Sequence, residues 1–304
     1  MKLRGAGRLA APSHECRSHA PDLHSRESPV NECPRCFSSL SGAPARLRSM
    51  SSTQRAVERR LINEVLAQPE ALAPRVVYAD WLLEQGDPRG EFIALQCKVT
   101  KRPQPMGQLL ETLRWSNKGV QQAPPPRHTA GRRAQALLEE HGAHFAAAAL
   151  PSRKGIVRIF ERGFLRALSI DASDLIKCGE VLFAREPVEV LRVRKLTPAL
   201  ARQIFNAPWF GRVRALALQK PVTEATCAAL CEGPRLAKLE ELDLSFGTAT
   251  PGMVDQLSRA QNLPALTRLD LRHNFGLTWQ VRPGSDVLLA ALKAHWGRRL
   301  LSRP

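Results

Sequence analysis

Aromatic side chains are scarce in this chain: 304 residues hold one Tyr, five Trp and ten Phe. Few rings are on hand for a surface that stacks bases. Lysine is scarce as well, with ten Lys against 35 Arg. Arg beside abundant Ala and Pro is what a GC-rich coding sequence produces. The net charge of +17 therefore has a compositional origin that needs no polyanion. No stretch approaches the roughly 18 continuous apolar residues of a membrane helix. The basic N-terminus, MKLRGAGRLAAPSHECRS, lacks an apolar run of signal-peptide length. Secretion is not expected, and its early Arg content leaves an organellar transit peptide as a weaker reading. G-x-S-x-G, P-loop and G-x-G-x-x-G motifs are all missing, and no acid pair has a spacing that singles it out. The chain is read as a non-enzyme without cofactor or metal.

Seven cysteines, an odd number spread over a long chain, suit reduced thiols in the cytoplasm better than a disulfide framework. Cys227 and Cys231, four apart in a predicted helix, read as small buried apolar residues. Cys33-Pro34-Arg35-Cys36, with Cys16, His14, His19 and His24 upstream, is a weak zinc signal. Zinc needs four ligands in a tetrahedron, and a second CxxC or a properly spaced HxxxH is missing.

What the sequence does have is a repeat. An L-x-x-L-x-L spacing occurs at Leu165/Leu168/Ile170, Val188/Leu191/Val193, Val213/Leu216/Leu218, Leu239/Leu242/Leu244 and Leu266/Leu269/Leu271. First positions 23 to 27 residues apart are the signature of leucine-rich repeats, each unit a strand plus a return segment. Helical patterns fill the gaps: 175–183, 198–205, 224–231 and 253–260. The fold class is therefore α/β: a short, irregular leucine-rich-repeat solenoid of parallel strands with convex-side helices, preceded by a small all-α domain.

Five segments follow. Residues 1–50, rich in Ser, Pro, Arg and Ala, are expected to be disordered. Met50 precedes Ser51, Ser52 and Thr53, good helix caps, and is read as the true start of an over-extended frame. Residues 51–98 form a helical domain, with Val57, Leu61, Val65 and Leu66 on one face of the first helix. Pro69 stops that helix, Pro74 opens the second, and Gly86-Asp87-Pro88 ends it. Residues 99–131, with KRPQP and QQAPPPRHTAG, read as a flexible basic insertion interrupted by a short amphipathic helix around Leu109–Leu113. Residues 132–155 are a helical connector. Residues 156–304 are the repeat domain, closed by an amphipathic capping helix over 286–301. The net charge is +5 over 1–56 and +7 over 98–133, so most of the excess lies in segments read as unfolded.

The block RVVYADWLLEQGDPRGEFIALQ (75–96) resembles the repeat-companion domain of myxobacterial and planctomycete proteins, which precedes leucine-rich repeats. ALLEEHGAHF (136–145) and FERGFLRALSID (160–171) are similar to its continuation into the repeats. The resemblance implies a bacterial protein with no established enzymatic activity or ligand. The asparagine that the repeat pattern places after the motif occurs once, at Asn274, with Gly247 and Leu196 in the equivalent places. Tyr78, Asp80, Trp81, Asp87, Arg89 and Glu91 are the polar or aromatic residues of the block. They could line a ligand site; the more economical reading is structural, with Arg89 paired to Glu91 or Asp80.

Strand side chains alternate, so the residues between the leucines face the concave side. Arg192, Arg194, Gln219, Glu241, Asp243, Arg268, Asp270 and Arg272 are the candidate protein-binding residues there. Mixed charge fits an unknown protein partner better than a phosphate-tracking groove. Nucleic acid held by the basic flexible segments is the alternative. The chain is expected to be monomeric and to have no membrane contact.

Overall fold

The structure is a computed structural model that describes residues 50–116, 119–123, 127–145, 150–151, 155–219, 221–247, 249–274, 294 and 300–301. Helix α1 (Ser52–Ala67) starts from a reciprocal cap. Ser51 Oγ accepts from the Gln54 N–H at 3.1 Å, and Gln54 Oε1 accepts from the Ser51 N–H at 2.9 Å. Its buried stripe is Leu61, Ile62 and Val65. Helix α2 (Ala73–Glu84) carries Pro74 in its first turn, where the missing N–H costs nothing. Gly86, at φ 68°, turns the chain out of it. Asp87 Oδ1 then accepts from the Arg89 N–H at 2.8 Å and caps α3 (Pro88–Val99).

Next come α4 (Met106–Trp115), β1 (Val120–Gln122) and α5 (Thr129–Phe145). Strands β2 (Val157–Glu161) and β3 (Phe164–Asp171) make a hairpin around Arg162 and Gly163. From there strand and helix alternate: α6 (Ala172–Phe183), β4 (Val190–Arg194), α7 (Pro198–Phe205), a short 3-10 helix (Pro208–Arg212) and β5 (Ala215–Leu218). Then follow α8 (Glu224–Cys231), β6 (Glu241–Asp243), α9 (Pro251–Arg259), β7 (Arg268–Asp270) and β8 (Leu300–Leu301).

This is a mixed α/β architecture. The strands lie side by side in chain order, all neighbours parallel except β2 and β3. Leu168, Leu191, Leu216, Leu242, Leu269 and Leu300 stand opposite one another in a single column. The first five join one core with Leu175, Ile204, Leu230 and Leu257 from α6 to α9. Each such leucine, removed from water, stabilises by about 1.5–3 kcal/mol. Thr197, Thr223 and Thr250 cap α7, α8 and α9 in the same way, their hydroxyls accepting from the N–H three residues on. Most of the expected helix over 286–301 lies outside the described residues. At its end Leu300 and Leu301 are strand, not helix, because their backbone pairs with β7.

The irregular turns recur too. Lys195, Phe246 and His273 all have positive φ, between 50° and 59°. Each lies three residues beyond a register-matched position: Arg192, Asp243 and Asp270. Asn274 is fully buried behind the last of these turns. Its Nδ2 donates to the carbonyls of Leu244 and Leu271, and its Oδ1 accepts from the Ala249 N–H. A side chain at Gly247 would crowd Asn274 Oδ1 at 2.9 Å, so the glycine leaves the space this asparagine fills.

The helical block is not a separate body; it and the sheet belong to one compact unit. Phe164, the first residue of β3, sits in the core of α1–α3 with Tyr78, Leu82 and Ile93. Reciprocally, Phe92 of α3 sits in the sheet core and packs 5.9 Å from Phe160 and 5.1 Å from Phe145. The Arg75 and Arg89 guanidinium carbons lie 4.8 and 4.9 Å from the Phe164 ring centre. Arg89 pairs with Glu186 at 2.7 Å, and Glu186 also accepts from the Leu165 N–H. The expected pairing of Arg89 with Glu91 or Asp80 is therefore corrected: Glu91 pairs with Arg133 across the surface. Arg89 points inward because it is held by a carboxylate from the segment before β4, at the start of β3. Burial lowers the Arg75 pKa to about 10 and opposes the charge on Arg89, which Glu186 then favours so far that its pKa ends above the ordinary value.

Gly163 makes this docking possible. It holds φ 81°, and its N–H donates to Gln96 Oε1 at 2.7 Å. A Cβ there would lie 2.3 Å from Ile93 Cγ1 and 2.6 Å from Ile93 Cα. Gly163→Ala is expected to lower stability by about 3 kcal/mol or more, through overpacking and left-handed strain together. Gly86→Ala has the same strain but open space, and is expected to cost about 1 kcal/mol. Urea unfolding of both variants checks this; equal losses would contradict it.

Candidate functional site

The face opposite the leucine column carries two register-matched rows. One is Ala167, Val190, Ala215, Glu241 and Arg268; the other is Ser169, Arg192, Ala217, Asp243 and Asp270. The first row runs from small apolar residues to charged ones, and the second, which starts with Ser169 and Arg192, ends in two aspartates.

Helix α4 lies on the apolar residues of the face. Leu109, Leu110 and Leu113 are buried against Val157, Ile159, Ala167, Val190, Ala215 and Ala217. The short amphipathic helix expected around Leu109–Leu113 is therefore present, from Met106 to Trp115, and it is packed on the sheet. The leucines fall at helical spacing, and small side chains on the sheet let the helix approach closely. Pro105 stands just before the first helical turn, where a proline does not interrupt helical bonding. After α4, β1 adds an edge strand to β2. The face expected to be open is thus half covered by the chain's own helix.

The predicted site residues separate into groups. Glu241, Asp243, Arg268, Asp270 and Arg272 gather at β6 and β7, where they meet α4. Arg114 of α4 pairs with Asp243 and, at 3.2 Å, with Glu111. Arg272 pairs with Asp270 at 2.6 Å and approaches Glu111 at 3.6 Å. Arg268 lies 3.9 Å from Glu241, whose carboxyl burial pushes above the usual range. Arg192 is half-buried, with burial and the neighbouring Arg194 and Arg114 charges holding its pKa down. Arg194 stands with Lys195 around Asp171, both at 2.8 Å. Gln219 is half-buried at the end of β5, and its backbone N–H donates to the Val193 carbonyl.

Two features escaped the sequence reading. The first is Trp115, at the end of α4 and 69% exposed. It puts an exposed indole beside the charged end of the face, edge-on to Phe246 at 5.7 Å. The second is a ladder of alternating charge along the strand beginnings. Glu161 pairs with Arg166, Arg166 with Glu189 at 3.0 Å, Glu189 with Arg214 at 3.3 Å and Arg214 with Glu240 at 2.8 Å. The second position of each repeat carries it: Arg166, Glu189, Arg214, Glu240 and then Thr267. That alternation was visible in the sequence to anyone comparing equivalent positions. Burial pushes the Glu161 carboxyl up, despite Arg166 beside it. The hydrogen bond to Glu240 raises the Arg214 pKa. Beside the ladder opens a cleft of about 340 Å³ between Leu66 and Pro69 and the strand starts, lined also by Arg212, Arg214 and Lys238.

No family model matches this chain, and no curated protein or solved structure matches it. No helix among the described residues is long and apolar enough to cross a membrane. Cys97, Cys178, Cys227 and Cys231 are free. The possible zinc ligands His14, Cys16, His19, His24, Cys33 and Cys36 lie outside the described residues.

Two outcomes follow from this geometry. Leu109→Ala is expected to cost about 3 kcal/mol in urea unfolding, the usual loss for a buried leucine; a residue in a flexible insertion would cost nothing. The second concerns acid stability. Burial alone would raise the Asp171 pKa, but Lys195 and Arg194 outweigh it and hold the carboxyl below its ordinary value. A depressed carboxylate contributes stability above its unfolded pKa, about 3.9, and loses that contribution as pH falls through the folded value. Asp171→Asn is expected to lose less stability than the parent on acidification below about pH 4, as read by thermal unfolding across pH.

Proposed function

We propose that this chain is a non-enzymatic protein–protein interaction module, in which a leucine-rich-repeat array of the solenoid type presents its concave face to a partner. The block resembling a repeat-companion domain closes the first strand of that array. The observation that carries this reading is the charged end of the face at β6 and β7. There Glu111, Glu241, Asp243 and Asp270 interleave with Arg114, Arg268 and Arg272. Such a mosaic gives orientation and partner choice through complementary charge, whereas a phosphate backbone calls for one sign. The in-register leucine column, with one helix returning between successive strands, supports the repeat reading. In this reading the protein acts as a monomer in the cytoplasm and needs no cofactor.

Affinity capture with the full chain, with and without nuclease and at two salt concentrations, tests the proposal. Protein partners that survive nuclease and moderate salt are expected. Loss of every partner on nuclease treatment would contradict it and favour nucleic-acid association.

A further inference from the structure

The covered half of the face leaves one exposed aromatic rim, at the end of α4. Trp115 meets Phe246 edge-on at 5.7 Å, and Phe246 stacks on His273 at 4.3 Å with planes 21° apart. The Arg114 guanidinium carbon lies 5.1 Å from the Phe246 ring centre. Trp115 is 69% exposed and His273 is exposed, so this cluster contributes little to the core.

Phe246 and His273 hold φ of 55° and 59°. The left-handed region costs an ordinary residue about 1–2 kcal/mol, and Gly or Asn would relieve it at either turn. One ring–ring contact returns about 0.5–1.5 kcal/mol. Lys195 holds the same left-handed turn at the equivalent place, so the turn belongs to the array and the rings at Phe246 and His273 are carried on it.

Charge selects the partner. Glu111 is an exposed carboxylate at the rim, while Asp243 and Asp270 are buried, each paired with an arginine. The rim's two cations are engaged: Arg114 by Asp243 and Glu111, and Arg272 by Asp270 and Glu111. A phosphate or a partner carboxylate would meet these acids without an unengaged cation among the described rim residues. A cation meets the opposite setting. Glu111 is 45% exposed at its side chain, and its Oε2 accepts from the Trp115 indole N–H at 3.0 Å. That bond places a carboxylate oxygen at the edge of an open indole face, the arrangement that attracts a guanidinium or ammonium.

We propose that the Trp115–Phe246–His273 rim docks a basic segment of a partner protein, whose arginine or lysine lies on the Trp115 ring with its charge beside Glu111. The inference rests on the interaction-module reading and names the chemistry of its partner. The rim supplies a buried-on-binding aromatic anchor, the residue type that dominates protein interfaces. Glu111 supplies orientation and sign.

The test uses the full chain and three labelled probes at physiological salt: an arginine-rich peptide, the same peptide with glutamate replacing arginine, and an oligothymidylate. Binding is read by fluorescence anisotropy for the parent, Trp115→Ala and Glu111→Gln, with circular dichroism to confirm that each variant is folded. The arginine peptide is expected to bind the parent, and Trp115→Ala to weaken it about tenfold, the scale of a desolvated cation–π contact. Glu111→Gln is expected to weaken it about threefold, as for a partly exposed ion pair. No binding of the arginine peptide, or equal binding by Trp115→Ala, overturns the inference and leaves the interaction-module reading to its capture test. Trp115-dependent binding of the glutamate peptide overturns the assigned charge while that reading stands. Trp115-dependent binding of oligothymidylate overturns both.

Discussion

The structure depends on one buried junction, where Arg75 and Arg89 meet the Phe164 ring and Glu186. Removing a guanidinium from water costs several kcal/mol, so the site holds together only when each charge finds partners of its own. Arg89 finds Glu186 and the Phe145 carbonyl, and Arg75 finds the carbonyls of Pro69 and Arg162. Those partners come from the α1–α2 loop, the β2–β3 turn, α5 and the segment before β4. The junction therefore fixes the relative placement of elements up to 97 residues apart in sequence. Two of the stretches singled out in the sequence, 75–96 and 160–171, meet in it. One supplies the cations and the other the turn they grip.

Placing the helical block at the β2–β3 turn has a consequence for the opposite face. The chain leaves α3 at Val99 beside that turn, and Arg162 holds it there through the Thr100 and Lys101 carbonyls. Gln104 then binds Glu161 and Arg166. From this anchor α4 has a short path onto the sheet, where Ala167, Ala215 and Ala217 leave room for its leucines. Beyond those alanines the rows become Glu241, Asp243, Arg268 and Asp270, and the helix answers with Glu111 and Arg114. The change in sequence along the rows marks where apolar packing against the helix gives way to ion pairs with it.

Much of this was legible in the sequence because it is periodic. The L-x-x-L-x-L spacing named the residues that share the Leu168 column, and the helices between them announced themselves by apolar spacing and Thr or Pro starts. Ser51, Gly86 and Asp87 read correctly because caps and turns are local. What was not legible is long-range. Nothing around Arg89 distinguishes a partner at Glu186 from one at Glu91, since the nearer acid satisfies every local rule. The packing of α4 was not legible for a related reason: proline and positive charge flank three leucines whose burial depends on alanines some 55 to 110 residues later. Trp115 stayed unassigned because its neighbour Phe246 lies in a turn that no propensity would give to phenylalanine.

Native-state hydrogen exchange measures the central claim, that the helical block and the sheet are one cooperative unit locked at Phe164. The Ile93 and Gln96 amides of α3 and the Leu168 and Leu191 amides of the sheet are predicted to exchange through the same global opening, with equal opening free energies. Arg89→Met is predicted to lower all four together. Exchange of the α3 amides through a separate, lower-energy opening, unchanged by Arg89→Met, would show two independent modules and contradict the account.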